Sequence, residues 1–275
     1  MTKTYFNFET FYSHVQNRGH DAKPSAEWLT WFVGFVEAEG SFIVTRRGDV
    51  SLVVVQSSHN VSILYNIQKH LALGKVSVHS KISKSDRWAV QDELGLSLII
   101  SIFNGNMVLP SRQQRFKSFC FSYNTLVGKR RSKKHTVYEP VKAISSLAMP
   151  SLQDAWLAGF TDGEGSFYAR MTLKSYVLSY SITQTHDINK PALENLRHLF
   201  QCGSIQAHSQ PGAWTFATYG LKSNRHIINY FETYTLKTKK RRSFKIWCYI
   251  YKALSLKMAL YNTWQNSSPR TVFSN

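Results

Sequence analysis

The sequence predicts a mixed α/β (α+β) protein built from two copies of one lobe, and three observations predict it. The first is an internal repeat: WFVGFVEAEGSFIV (31–44) returns as WLAGFTDGEGSFYA (156–169), sharing W, GF, EGSF and an acid two places before the Glu. VVVQSSHN (53–60) pairs with SITQTHDI (181–188), LALGKVSVHS (71–80) with FQCGSIQAHS (200–209), and Trp88 with Trp214. The matches keep their order at an offset of about 125 to 129 positions, as two copies of one supersecondary unit do. The second observation is that hydrophobic periodicity changes within each copy from helical to alternating. The third is a glycine closing each apolar helical stretch, where a helix stops readily.

In chain order, Ser25 after Pro24 caps the first motif helix, and Ser151 with Asp154 reads as a capping box that opens the second. Gly40 and Gly165 end those helices, and alternating strands follow over 41–47 and 166–172. In 177–184, Ser179, Ser181 and Thr183 oppose Leu178, Tyr180 and Ile182, the period of a half-exposed strand. Residues 50–55 are apolar on both faces, so their orientation is not legible. Helices are expected at about 60–73 and 189–200, closed near Gly74 and Gly203, with further strands and a helix completing each copy. The predicted organisation is an N-terminal arm (1–23), a first lobe (24–127), a basic linker (128–149), a second lobe (150–265) and a tail (266–275).

Lys and Arg number 34 against 16 Asp and Glu, a formal charge of +18, which points to a polyanionic partner, nucleic acid before any other. A membrane surface competes, but no apolar run approaches 20 residues. Cys120, Cys202 and Cys248 are odd in number and far apart, which suits buried thiols in a reducing compartment rather than a disulfide framework or zinc site. The first 25 residues lack the apolar core of a secretion signal and mix acids with bases, unlike a transit peptide.

Gly34 and Ala38 lie four apart, as do Gly159 and Gly163, so each motif helix carries a stripe without bulky side chains. Two such stripes pack at short axial distance. Helices paired in this way about a pseudo-twofold axis bring Glu39 and Glu164 together at their C-terminal ends. An acid there opposes the helix dipole, and a second carboxylate adds repulsion. A divalent cation relieves both, and hard cations such as Mg²⁺ are held by one or two carboxylates together with phosphate oxygens. An apolar core helix with a solvated terminal acid explains either motif alone, but not the doubled E-G-S-F ending.

FVGFVEAEG (32–40) and LAGFTDGEG (157–165) resemble the LAGLIDADG signature of homing endonucleases, and two copies in one chain resemble that family's single-chain, pseudosymmetric branch. The resemblance spans roughly residues 25–255. It implies an αββαββα unit in each half, motif helices at the interface, and two antiparallel sheets forming a saddle on the DNA major groove. It implies Glu39 and Glu164 as metal ligands, with the carbonyls of Ala38 and Gly163 as further ligands. It also implies catalytic roles for Gln56 and Gln184 near strand ends, and for a lysine before the last helix, Lys239, with which Lys240 can exchange roles. Arg112 stands at the corresponding place in the first half, a fixed charge but a weaker proton donor. The strands after E-G-S are then expected to face DNA with Ser41, Ile43, Thr45 and Arg47, and with Ser166, Tyr168, Arg170 and Thr172, while Ser179, Ser181 and Thr183 share that surface. Phe42 and Phe167 point to the core.

The function so implied is metal-dependent double-strand cleavage, with short 3′ overhangs, at a long, asymmetric double-stranded DNA site by a monomer with Mg²⁺ as cofactor. An intron-encoded protein of a mitochondrion, or a chloroplast, fits the missing transit peptide. The competing reading is an RNA maturase acting on its own intron, since basic surface serves either polymer.

Overall fold

The computed structural model describes residues 6–21, 24–131, 140–172 and 175–267. After α1 (Glu9–Asn17), the first lobe comprises α2 (Ala26–Glu39), β1 (Gly40–Val44), β2 (Val50–Ser57), α3 (Ser62–Leu71), β3 (Lys75–Ser80), β4 (Ser85–Val90), α4 (Glu93–Phe103) and α5 (Pro110–Arg131). The second repeats it as α6 (Trp156–Glu164), β5 (Gly165–Met171), β6 (Tyr176–Thr185), α7 (Lys190–Phe200), β7 (Ser204–Ala207), β8 (Ala213–Tyr219), α8 (Gly220–Thr233) and α9 (Lys240–Ser267). Each lobe is thus αββαββαα, one helix more than the expected unit. The added helices, α5 and α9, pack against β1 and β5.

Both sheets are antiparallel and share one topology, β1-β2-β4-β3 and β5-β6-β8-β7. In the first, Gly40 lies opposite Val54, which faces Trp88 on its other side. In the second, Gly165 lies opposite Ile182, which faces Phe216. Phe216 is therefore the counterpart of Trp88, correcting the sequence match to Trp214. Trp214 sits two residues away opposite Gln184, where its indole donates to Asp187 at 2.7 Å and the Lys190 ammonium lies over its ring at 3.7 Å. The apolar character of β2 on both faces is explained by its central place between β1 and β4: Leu52 and Val54 are fully buried on one side, and Val53 is 8% exposed on the other.

The alternation after each E-G-S holds. Phe42 packs against Phe103, Phe116 and Phe119, and Phe167 against Tyr180, Phe231, Phe244 and Trp247. These aromatic clusters fasten the last two helices of each lobe beneath its sheet. The strands are shorter than expected. β1 stops at Val44, and Thr45 and Arg47 fall in the β1–β2 hairpin, where the Thr45 N–H donates to the Asp49 carbonyl at 2.9 Å and Gly48 takes φ +89°. β5 stops at Met171, and the Thr172 N–H donates to the Ser175 carbonyl at 2.8 Å.

Ser25 caps α2 as expected, its side chain accepting from the Trp28 N–H at 3.1 Å. The second start differs: α6 begins at Trp156, and Asp154 accepts its N–H at 3.0 Å, while the Ser151 N–H and hydroxyl bind the other Asp154 oxygen. The Ser-Asp pair thus closes a turn ahead of the helix rather than forming its cap. The linker also differs at its start, because α5 continues to Arg131. Most of the basic run 128–140 lies outside the described residues, as does the tail from 268. Residues 140–150 follow the first lobe, with the Val141 N–H donating to Asn124 and the Ile144 N–H to Asn104, both at 2.8 Å. Within the arm, α1 buries Phe11 and Val15 against the first lobe.

Cys120 and Cys248 are buried free thiols and Cys202 is a partly exposed one; burial pushes Cys120 up to about 12 and Cys248 up to about 11. Among the described residues no helix is long and apolar enough to cross a membrane.

Candidate active site

The site begins with the contact of α2 and α6, the most extensive between helices among the described residues. A Cβ on Gly34 would come within 2.1 Å of the Trp156 carbonyl oxygen, and one on Gly159 within 1.8 Å of the Trp31 carbonyl oxygen. Backbone therefore lies directly on backbone, the approach that the glycine stripes predict. One turn further, a Cβ on Gly163 would stand 2.3 Å from the Ala38 methyl carbon and 2.9 Å from Glu39 Cγ. The helices stay in contact to their last turn, so Glu39 and Glu164 emerge together. Each chain segment then leaves directly into a strand, since Gly40 and Gly165 adopt extended backbone. Glycine is required there by space: a Cβ would lie 2.5 Å from Val36 Cγ1 or 2.4 Å from Thr161 Cγ2.

Partial desolvation, and then the Glu39 charge beside it, raise the Glu164 carboxyl above its usual range, with Lys240 and Arg112 pulling the other way. Two cations thus flank the acids. Arg112 Nη1 donates to the Gly40 carbonyl and Nη2 to the Ala38 carbonyl, each at 3.2 Å. In the other lobe Lys240 Nζ donates to the carbonyls of Thr161, at 3.1 Å, and Gly163. Burial lowers the Lys240 ammonium, against the attraction of Glu39, Asp162 and Glu164. Lys240, not Lys239, is therefore the counterpart of Arg112. Lys239 is exposed one residue before α9 starts, with its backbone N–H donating to Asn60 Oδ1 at 3.3 Å.

Beside Glu164 opens a cleft of about 340 Å³ lined by Arg112, Arg115, Gln184, His186 and Asn189 among others. Gln184 and Gln56 occupy equivalent positions, two residues beyond the strand residues opposite Gly165 and Gly40. Gln184 Nε2 donates to the Thr183 carbonyl at 3.0 Å, and Gln56 Oε1 accepts from Asn60 Nδ2 at 2.6 Å. Asn60 and Asn189 are linking residues that the sequence reading missed: each lies in a 3₁₀ turn after a strand and binds backbone at the start of the other lobe's last helix, Lys239 just ahead of α9 and Ser111 in the first turn of α5. Asn189 Oδ1 accepts from the Ser111 N–H at 3.2 Å, as Asn60 does from Lys239. The repeat match sets Asn60 against Ile188, with Asn189 one position later, so the alignment itself concealed the pair.

Glu37 and Asp162, noted in the sequence only as part of the repeat, are the other missed pair. Glu37 is 1% exposed between the lobes and accepts from the N–H groups of Val108 and Leu109 and from Trp156 Nε1, the last at 2.7 Å. Asp162 accepts from the N–H groups of Lys237 and Thr238 and from Trp31 Nε1, the last at 2.9 Å. Burial pushes the Glu37 carboxyl up to about 7 against these donors.

The core side of β1 and β5 being fixed by Phe42 and Phe167, the opposite face presents Ser41 and Ile43, and Ser166, Tyr168 and Arg170, all exposed. Ser166 pairs with Ser181 and Tyr168 with Ser179, and Thr183 shares their parity, its hydroxyl 2.8 Å from that of Thr215. The sequence-predicted surface is thus gathered on the two sheets except for Thr45, Arg47 and Thr172, which project from hairpins, and Ser179, which is 8% exposed beneath its neighbours and so is not a surface residue.

Two carboxylates and the nearby carbonyls of Ala38 and Gly163 form an all-oxygen donor set suited to a hard divalent cation. Both carbonyls already accept from Arg112 and Lys240. Among the described residues no cluster of three or more His, Cys, Asp or Glu side chains occurs, so a cation held here takes its remaining ligands from water or phosphate.

Two lobes of one topology, welded along glycine-bearing helices that end in paired acids, define a pseudosymmetric single-chain protein with those acids on the seam. A profile of the LAGLIDADG endonuclease family matches residues 32–123 and 157–251, and the chain belongs to that family. It is 33% identical over 81% of its length to the "Probable intron-encoded endonuclease 4" of Neurospora crassa, and 24% identical over 85% to the "Intron-encoded RNA maturase bI4" of Saccharomyces cerevisiae. It spans 39% and 35% of the lengths of those relatives. Among solved structures it is similar to the homing endonuclease I-GzeII in complex with its DNA target (TM-score 0.63, 23% identity, 84% of this chain and 92% of that one). It is also similar to I-SmaMI bound to uncleaved DNA with calcium ions (TM-score 0.64, 18% identity, 86% and 94%).

Proposed function

We propose that the chain is a site-specific homing endonuclease that makes a Mg²⁺-dependent double-strand break, with short 3′ overhangs, in a long, asymmetric DNA target. The observation that carries this reading is the delivery of Glu39 and Glu164 to one point by helices in backbone contact, with a cation from each lobe beside them. Glu39 and Glu164 would hold the Mg²⁺, which would supply charge neutralisation at the scissile phosphates and an activated water. Arg112 and Lys240 stabilise charge developing on the phosphorane-like transition state, each from its own side. Gln56 and Gln184 orient water at the strand ends. The exposed faces of β1, β5 and β6 supply base and backbone contacts, with Arg170 able to address a guanine edge. Their side chains differ between lobes, which suits a target with unlike half-sites. Relatives named as intron-encoded or cox1-intron products support expression in a mitochondrion.

The test is incubation of the purified chain, as a monomer, with duplex DNA spanning the insertion site of its host intron. Cleavage with Mg²⁺ that disappears with EDTA is expected; intact duplex under both conditions overturns the proposal. Binding in Ca²⁺ should weaken by roughly 10³-fold or more from 50 to 200 mM salt, as for a protein neutralising six or more phosphates, measured by fluorescence anisotropy. A relative named as an RNA maturase supports a second reading, assistance of its own intron's splicing. Retention of both acids favours cleavage, because RNA binding does not need them.

A further inference from the structure

Glu37 and Asp162 carry more than the joint between lobes. A buried carboxylate is costly unless every oxygen is satisfied, and well-packed apolar residues join two helices as well or better. Both lobes nevertheless keep the acid, and both aim it at the same kind of target: two consecutive backbone N–H groups just ahead of the cation. Glu37 binds the amides of Val108, at 2.9 Å, and Leu109, at 2.6 Å, three residues before Arg112. Asp162 binds those of Lys237, at 2.7 Å, and Thr238, at 2.9 Å, two residues before Lys240. Each cation then returns to the terminal carbonyls of the helix bearing its acid: Arg112 to Ala38 and Gly40, Lys240 to Thr161 and Gly163. The result is a closed circuit in each lobe, running from motif helix to acid, amide pair, cation and back to the same helix end. Across the seam the circuits are touched by two tryptophans, Trp156 reaching Glu37 and Trp31 reaching Asp162, and by Asn60 and Asn189, which bind the backbone beside Lys240 and Arg112.

Resting on the nuclease reading above, we infer that Glu37 and Asp162 are positioning residues, each holding the cation of its own lobe in place for cleavage of one DNA strand. Displacement of a stabilising charge by about 1 Å costs up to about a hundredfold in rate, so loss of one acid must slow one strand more than the other. A purely structural acid, by contrast, slows both equally.

The experiment uses the full chain in single turnover with Mg²⁺ on a duplex whose strands carry different labels, giving a rate constant for each. Relative to wild type, Glu37→Gln and Arg112→Ala should slow the same strand, and Asp162→Asn and Lys240→Ala the opposite one, each shifting the strand ratio by at least about tenfold. Gln and Asn keep the size of the acid but leave one oxygen fewer for the N–H donors that it faces. Should Glu37→Gln or Asp162→Asn fail to fold, Pro110→Gly tests the first lobe's link from a less buried position, and its outcome decides the inference. It loosens the connection between Leu109 and Arg112 and should bias the strand that Arg112→Ala biases. Trp156→Phe removes the interlobe bond to Glu37 and leaves the amide grip, so it should lower the thermal midpoint with the strand ratio unchanged. Equal slowing of both strands, or a Pro110→Gly or Glu37→Gln bias opposite to that of Arg112→Ala, overturns the inference alone. A wild-type chain that cuts neither strand overturns the proposed activity and this inference with it.

Discussion

Gly159→Ala should destabilise the chain by about 3 kcal/mol or more, the upper end of the range for overpacking, with a fall in the thermal midpoint of roughly 6–12 °C. The reason is that the new methyl meets main chain, the Trp31 carbonyl and the Phe35 nitrogen. It would lie 1.8 Å from the Trp31 carbonyl oxygen, 2.7 Å from its carbon and 2.8 Å from the Phe35 nitrogen. No rotamer relieves a backbone clash, so α2 and α6 must separate along their length. That moves Glu39 from Glu164, and cleavage is expected to fail even in the fraction that remains folded. Gly128→Ala is the matched control. It lies in α5 with nothing within 4 Å of its would-be Cβ, and should stabilise by about 0.5–1 kcal/mol through helix propensity. Differential scanning calorimetry of the two variants decides the matter; equal, small effects would mean that the helices are not in contact.

The second large effect is expected from Glu39→Gln and Glu164→Gln. Each amide keeps the shape of the acid and loses the charge that holds a hard cation, so cleavage of both strands should fall by at least about 10³-fold, several kcal/mol of transition-state stabilisation. Binding of the uncut duplex should be kept or strengthened, because a negative charge facing phosphate has been removed. Stability separates this outcome from misfolding. The Glu164 carboxyl is raised in the folded chain by desolvation and by Glu39, so the folded state holds its proton more tightly than the unfolded one. Stability without metal then falls as pH rises from the ordinary carboxylate range to the raised value. Glu164→Gln should remove that fall, which denaturant titrations from pH 4 to 7 measure. Undiminished cleavage in both variants would remove the acids from the chemistry.

What the sequence discloses here is what depends on neighbours in sequence. The close helix contact is legible because glycine at 34 and 159 leaves a stripe that nothing else in a buried helix explains. The strand faces are legible because Phe42 and Phe167 alternate with Ser41 and Ile43, and with Ser166 and Tyr168. The Ser25 cap and the breaks at Gly40 and Gly165 are equally local. What escaped is fixed by distant partners. Glu37 finds its amides 71 and 72 residues away and its indole 119 away, and no spacing rule announces such a pairing. Lys240 displaces Lys239 because the register of a helix start is set by what the preceding amides bind, here Asp162, and not by aligning LPSR with LKTK. The Trp88 match slipped for a related reason: the strands register on Gly40 and Gly165, and that geometry pairs tryptophan with phenylalanine. β1 ends early because a hairpin, once Gly48 turns it, takes Thr45 and Arg47 out of the ladder.

The last turn of the motif helices is not symmetric in one respect. The methyl of Ala38, with Glu39 Cγ beside it, fills the space across from Gly163, and a methyl on residue 163 would stand 2.3 Å from that of Ala38. Two copies of the first lobe brought together as a homodimer would set alanine against alanine and could not close to the present helix spacing, while two copies of the second would leave a methyl-sized hole beside the paired acids. The halves have become a lock and its own key, workable only as unlike partners, and any exchange of lobes with another member of the family must carry this small-against-smaller pairing with it.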